Sequence, residues 1–496
     1  MNISFNGMKK ILAILILGCN VLCAFSKTYY VDSKTGNDVN DGLSSNKPWQ
    51  SLSKVNQHGF TAGDSILFKR SETWEGQLAP TGSGMAGKPI VFSAYSQGAL
   101  PEIKAAGRFR DALLIKNMQY IVVEYLSLSN FDSGIVSQKT GPTGVRILAE
   151  NIGTLHNIRL AYLYIHDING DNKKGSAEGC GIFWDCQGPM RSNIEHLLIE
   201  NCTLEHVDRN GIRGNGTFGI RSNWFPNKDL VIRNSTLKDI GGDGIVIKAF
   251  DTALIEHNKL FYFRTRAIDN AVAIWPHSSD HTLIQYNEVA YTKNENWAND
   301  GQSFDIDGNC RNTIIQYNYS HDNDGGFGLV ISDVINKDNV KTTGNIIQYN
   351  LSVNDGLKRK RLFNFAGITD STTVKGNIFY NDSEMEYTTE IVDMDGKPVN
   401  LYFEDNYFYY PGKTFGVFSQ APKKYAQTFF VNNRFAGAIV GRDNIPNIKE
   451  GSKPKRRLTG KPVTAFPWKY MPNKLKKQIE SFPENLYNSI IWQAAK

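Results

Sequence analysis

At 496 residues the chain is long enough for two or three ordinary domains, but length says little where a fold grows by repetition. With 41% hydrophobic and 21% charged residues the composition excludes a disordered chain, and 44 glycines among many asparagines favour turns and short strands over helices. The formal charge of +6 is small for this size and gathers at 453–457 and 474–477, which leaves no nucleic-acid footprint.

The chain opens with Lys9 and Lys10, an apolar run over 11–17, and Ala24-Phe25-Ser26 at the spacing of a signal-peptidase site. A signal peptide is therefore expected over 1–26, giving a secreted or periplasmic chain that starts near Lys27. A second reading takes Leu17-Gly18-Cys19 as a lipoprotein box, with Cys19 lipidated and the protein held at the cell surface. No later run approaches the ~18 apolar residues of a membrane span. Cys19 and Cys23 lie in the leader, leaving Cys180, Cys186, Cys202 and Cys310, none at metal-type spacing. Cys180 and Cys186 are either paired across a loop or buried as free thiols, and the second is the blander reading.

Residues 29–32, 49–55 and 64–68 read as strand, short helix and strand, suited to closing one end of a repeat array, so 27–100 is taken as an N-terminal cap with the first coils. The middle of the chain repeats one phrase: Leu198-Ile199-Glu200-Asn201, Val231-Ile232-Arg233-Asn234, then versions ending at Asn258, Asn287, Asn318 and Asn350, with fainter copies at Asn377, Asn406 and Asn433. The eight steps from Asn201 to Asn433 average 29 residues. Each copy holds paired apolar residues, a polar turn and a second alternating segment, which parses as three short strands per coil. The repeated Asn is expected to bond its counterparts in adjacent coils at a bend that tolerates a left-handed backbone. Residues 101–440 are thus an all-β parallel solenoid, and 441–496 a C-terminal cap or tail with helical patterning at 475–479 and 486–495.

The Asn-centred repeat, with the opening Tyr30-Val31-Asp32, Gly36-Asn37-Asp38 and Gly42, resembles the pectin-lyase-like superfamily of right-handed parallel β-helix proteins over nearly all of the mature chain. That resemblance implies the fold and carbohydrate chemistry, without choosing between hydrolysis, elimination, epimerisation and binding.

An outward column across the coils collects Trp184, Arg213, Lys248, Trp275, Asp305, Asp307, Ser332, Asn364, Asp393 and Asp395, a polar surface with aromatic platforms suited to sugar rings. Acidic residues are densest at Asn299-Asp300-Gly301 and Phe304-Asp305-Ile306-Asp307, followed by His321-Asp322-Asn323-Asp324 one coil later. Asp305 and Asp307 stand two apart on a strand, roughly 6 to 7 Å between α-carbons, so both face one side. Close carboxylates push their pKa values apart, leaving one as general acid and the other as base or nucleophile. The expected catalytic group is Asp305 and Asp307, supported by Asp300 or Asp324, with Lys248, Arg266, Trp275, His277, Arg213, Trp184 and Asp322 holding substrate. The blander account makes Asp322 and Asp324 turn formers and gives Asp305 and Asp307 to calcium or solvent.

Polygalacturonase-type hydrolases of this superfamily carry an Asn-Thr-Asp motif, paired Asp, Gly-His-Gly and Arg-Ile-Lys; Asn299-Asp300 and Asp322/Asp324 are loosely similar, and the last two motifs have no counterpart. A rival arrangement, Asp243 with Lys248 followed by Arg264 and Arg266, is similar to the Lys-and-Arg sites of chondroitinase-B-like and alginate lyases, which implies a basic residue as proton abstractor and Ca²⁺ on the uronate. The lengthened turn at 294–298 before the acidic cluster argues against a mere binding scaffold. The expected protein is an exported monomer that hydrolyses a polysaccharide or oligosaccharide, with the basic residues suggesting an acidic one; a Ca²⁺-assisted lyase and a glycan-binding helix are the alternatives.

Overall fold

The computed structural model describes residues 26–449, apart from 135–140, 176, 216–220, 295–299, 333–340, 359–360, 419–424 and 446–447. The expected leader with Cys19, the helical tail and most of the lengthened turn at 294–298 lie outside the described residues.

Three long parallel sheets carry the chain: fifteen strands from Thr28–Val31 to Ile448–Lys449, thirteen from Thr73–Glu75 to Arg434–Gly437, and twelve from Asp111–Lys116 to Ile439–Val440. The chain visits them in turn, so one coil is three strands, as at Phe250–Glu256, Lys259–Phe263 and Ile274–His277. Burial explains why a coil cannot stand alone. In Phe250–Glu256, Ala253 and Ile255 point inward, and they stack on Leu230 and Ile232 below and on Thr282 and Ile284 above. Repeating this contact gives one continuous apolar core from Tyr29 to Ile445. The result is a right-handed parallel β-helix.

The first strand, Thr28–Val31, pairs with Ser65–Lys69, and the helix Leu52–Gln57 lies between them in sequence. Ser51 caps that helix by accepting the Lys54 N–H, while Leu52 and Val55 sink into the same core as the coils.

The asparagine column divides its two expected jobs between neighbouring residues. Asn258, Asn287, Asn318, Asn350, Asn377, Asn406 and Asn433 form the ladder, each Nδ2 donating to the next Oδ1 at 2.9–3.0 Å. The left-handed residue is the one before, as with Tyr286, Tyr317 and Tyr349 at φ 55–56°. Asn201 and Asn234 are themselves left-handed, at φ 54° and 53°, and stand one place ahead of the ladder. At that rung Ser235 Oγ accepts from Cys202 N, and Asn258 Oδ1 accepts from Ser235 N. For these two copies the expected amide ladder is corrected: small Cys and Ser occupy the rung.

Cys180, Cys186, Cys202 and Cys310 are free and buried. Cys180 and Cys186 sit at opposite ends of the extended strand Cys180–Gln187, about 20 Å apart by strand rise, so no bridge joins them. Burial pushes all four thiols upward in pKa.

Candidate active site

The outer face of the twelve-stranded sheet presents two rows. One runs Phe183, Arg213, Val246, Trp275 in register, then Asp305, Leu329, Asn364 and Asp393, with Ile274 opposite Phe304 bringing Trp275 alongside Asp305. Two residues further along each strand, Lys248 pairs with His277, and Asp307 donates its backbone N–H to the Pro276 carbonyl at 3.1 Å. Adjacent strands lie about 4.8 Å apart, so Lys248, His277 and Asp307 make a contiguous row across three coils.

Asp300 reaches the same place from the turn before Phe304–Ile306. That turn is held from several sides: Thr292 Oγ1 donates to the Gly301 carbonyl at 2.6 Å, Gly301 N donates to Ala271 O at 3.0 Å, and Asn294 Nδ2 donates to the Asp300 carbonyl. Gly301 itself adopts φ 104°, and a Cβ on Gly325 would meet the Gly301 backbone at 2.1 Å, so two glycines let the turn lie flat on the next coil.

The electrostatics separate the three carboxyls. Asp305 is 4% exposed, its Oδ1 is buried without a hydrogen-bond partner, and burial, then Asp307 and Asp300, hold its pKa far above the usual carboxylate range. Asp300 is pushed up to about 6, first by burial and then by Asp243 and Asp307 against the opposing pull of Lys174. Asp307 is half-buried in the same row as Lys248, whose pKa burial and Arg213 lower and Asp307, two coils along, partly restores.

Asp243 behaves oppositely. It is 1% exposed, yet Lys174 and Arg209, with the Val272 N–H and the Trp275 indole, outweigh the burial penalty and lower its pKa. Arg209 Nη1 lies 2.8 Å from one carboxylate oxygen, and Trp275 Nε1 donates to the other at 2.9 Å. Asp243 thus orients the Trp275 ring, and the arrangement leaves it as a positioning group for an aromatic platform rather than the partner of a basic proton abstractor.

Sequence reasoning missed Lys174 and Arg209. The Lys174 ammonium lies 5.1 Å above the Trp275 ring and 3.8 Å from Asp243, and its backbone N–H is fixed by Asp269 Oδ2 at 2.6 Å. Asp269 also holds the fully buried Arg209 at 2.8 Å. Lys174 comes from the loop 169–179, which has no repeat register, and its only signal was the Lys173-Lys174 pair in a long turn.

Other expected site residues are placed elsewhere. Trp184 is corrected: it points inward, is fully buried and meets Phe250 edge-on at 5.5 Å, with Gly214 making room for its indole, so it offers no face to a sugar. Arg266 is corrected as well. Its guanidinium pairs with Asp208 at 3.0 Å and Asp239 at 2.5 Å and donates to the Val207 and Asp239 carbonyls, clipping its own coil to the two before it at a turn. Asp322 occupies a left-handed turn position (φ 53°) and accepts from His321, away from the acidic cluster, as a turn former. Asp324, expected among the catalytic carboxylates, lies behind the Asp300 turn: Oδ2 accepts from Asn294 N at 3.3 Å and pairs with Lys358 at 3.3 Å. It supports that turn. Arg213 stays on the outer face, ion-paired to Glu178.

Among the described residues no three His, Cys, Asp or Glu side chains are grouped to hold a metal ion, so the Ca²⁺ expectation has no ligand set there. No helix among them is long and apolar enough to cross a membrane.

No sequence model of a known protein family matches the chain. It is 27% identical over 454 residues to a lacto-N-biosidase of Bifidobacterium longum subsp. longum, an alignment covering 73% of this chain. The chain spans only 28% of that relative's length. Among solved structures, the selenomethionine form of the GH136 lacto-N-biosidase of Eubacterium ramulus matches with a TM-score of 0.64 at 26% identity, over 81% of this chain and 70% of that one. The native form gives 0.61 at 24% identity, over 78% and 69%. The chain is a right-handed parallel β-helix, similar along most of its length to lacto-N-biosidases.

Proposed function

We propose that the protein is a glycoside hydrolase that cleaves an oligosaccharide on the outer face of the twelve-stranded sheet, with Asp300 as general acid and Asp307 as nucleophile or base. The observation that carries this reading is the convergence of Asp300, Asp305 and Asp307, with Asp300 half-buried and lifted to about 6. A general acid must hold its proton near the working pH and still reach the leaving oxygen. Asp300 meets both demands, whereas Asp305 is covered. Asp305, covered by the fold, therefore does not compete with Asp300 for substrate. Proton transfer from Asp300 to the glycosidic oxygen frees the leaving group as Asp307 supplies electrons to the anomeric carbon, directly or through water. Trp275, fixed through Asp243, stacks on a sugar ring.

The similarity to lacto-N-biosidases supports hydrolysis and a lacto-N-biose-type disaccharide as the unit released. The signal-like N-terminus supports export, and the chain works as a monomer. The test is incubation of purified protein with p-nitrophenyl lacto-N-bioside and a panel of neutral and acidic polysaccharides, following reducing ends and unsaturated-uronide absorbance together. Reducing ends without absorbance are expected. Absorbance rising in step would replace hydrolysis with elimination and move attention to Lys248.

A further inference from the structure

Neighbouring cations on this side meet carboxylates: Arg146 pairs with Asp185 at 2.5 Å, Arg213 with Glu178, Arg209 with Asp243 and Asp269 at 2.8 Å each, and Lys174 shares Asp243 at 3.8 Å. Lys248 differs. It is half-buried at the end of the strand Asp243–Lys248, beside His277 in the next coil, and forms no ion pair or hydrogen bond with any described residue. An ammonium held partly out of water without an acceptor costs free energy that the fold does not recover internally. Burial and the Arg213 charge both disfavour its protonated form, in keeping with a cation waiting for an anion.

We propose that Lys248 is an anion-recognition point, and that the site takes a glycan bearing a carboxylate or sulfate group over the row Lys248, His277 and Asp307. The inference rests on the glycan-cleaving reading above and narrows its substrate class. The short reach from Lys248 to Asp307, two coils along, about 10 Å by strand spacing, places the charged group within one or two sugar units of the bond to be broken. Binding should weaken with salt, because the contact is charge on charge near the surface.

Calorimetric titration of the intact protein with neutral lacto-N-biose, its 6-O-sulfated form and its sialylated form tests this without needing turnover. The charged sugars are expected to bind about tenfold tighter than the neutral one at low salt, about 1.4 kcal/mol. Lys248→Met should erase the difference and Lys248→Arg should keep most of it, with unchanged melting curves showing that the variants fold. Tighter binding of only one charged sugar identifies sulfate or carboxylate as the preferred group. Equal binding of all three, failure of both charged sugars to bind, or a preference that survives in Lys248→Met overturns the proposal. Hydrolysis of p-nitrophenyl lacto-N-bioside reports separately on the glycosidase reading.

Discussion

Two parts of this molecule gather amide or carboxyl side chains, one across successive coils and the other within a single coil, and they do opposite things with them. At the asparagine corner every amide from Asn258 to Asn433 has its donor and acceptor matched, with a ladder bond of 2.9–3.0 Å at each rung. On the outer face, Asp300, Asp305 and Asp307 crowd together, Asp305 Oδ1 has no partner, and two of the three carboxyls are pushed up in pKa. A satisfied polar column rigidifies a fold. A crowded acidic one destabilises its own ionised forms, which is the state that acid–base chemistry needs.

The contrast breaks most sharply at the carboxyls. Asp300→Asn and Asp307→Asn should each lower kcat by on the order of 10³-fold while the melting temperature holds or rises. With Asp300 protonated below about 6, wild-type kcat/KM should fall as pH rises through about 6, and Asp300→Asn should lose that limb. A pH profile unchanged in Asp300→Asn would remove it as the acid. At the other region, Asn318→Ala should cost about 3 kcal/mol in urea unfolding, since it strips the Ile284 carbonyl and the Asn287 and Asn350 amides of partners. A cost under about 1 kcal/mol would mean that water replaces the rung. The smallest effect is expected at Asp305→Asn. That side chain is covered and burial already disfavours its charged form, so stability should change by less than about 1 kcal/mol and activity by less than about tenfold. An activity loss equal to that of Asp307→Asn would exchange their roles.

The solenoid was legible because its signal is repetition, and nine copies of one phrase outweigh any local ambiguity. The ladder register slipped by one at Asn201 and Asn234 because a left-handed bend and an amide rung both favour asparagine, and sequence alone does not say which job a given Asn does. Trp184 was misplaced for a related reason. In Cys180–Gln187 every residue but the last is buried, so no polar alternation marks which side faces out. The acidic cluster could be read from the density of Asp around 300–307, but its ranking could not: Asp305 and Asp307 look equivalent by spacing, and only packing shows that one is covered. Lys174 and Arg209 lie in turns between strands, where no register predicts what they will touch.

The rungs of the ladder are separated by 27 to 32 residues of chain, yet every rung bond has the same length. The frame therefore counts coils and not residues. Turns of very different size hang from matching rungs, and the turn with Asp300, in the coil of Asn287, is one of them. Selection is free to lengthen, recharge or exchange such turns without disturbing the column that carries them. New substrate preferences can thus arise on this scaffold by editing its margins, while the corner of asparagines keeps the coils that carry it in step.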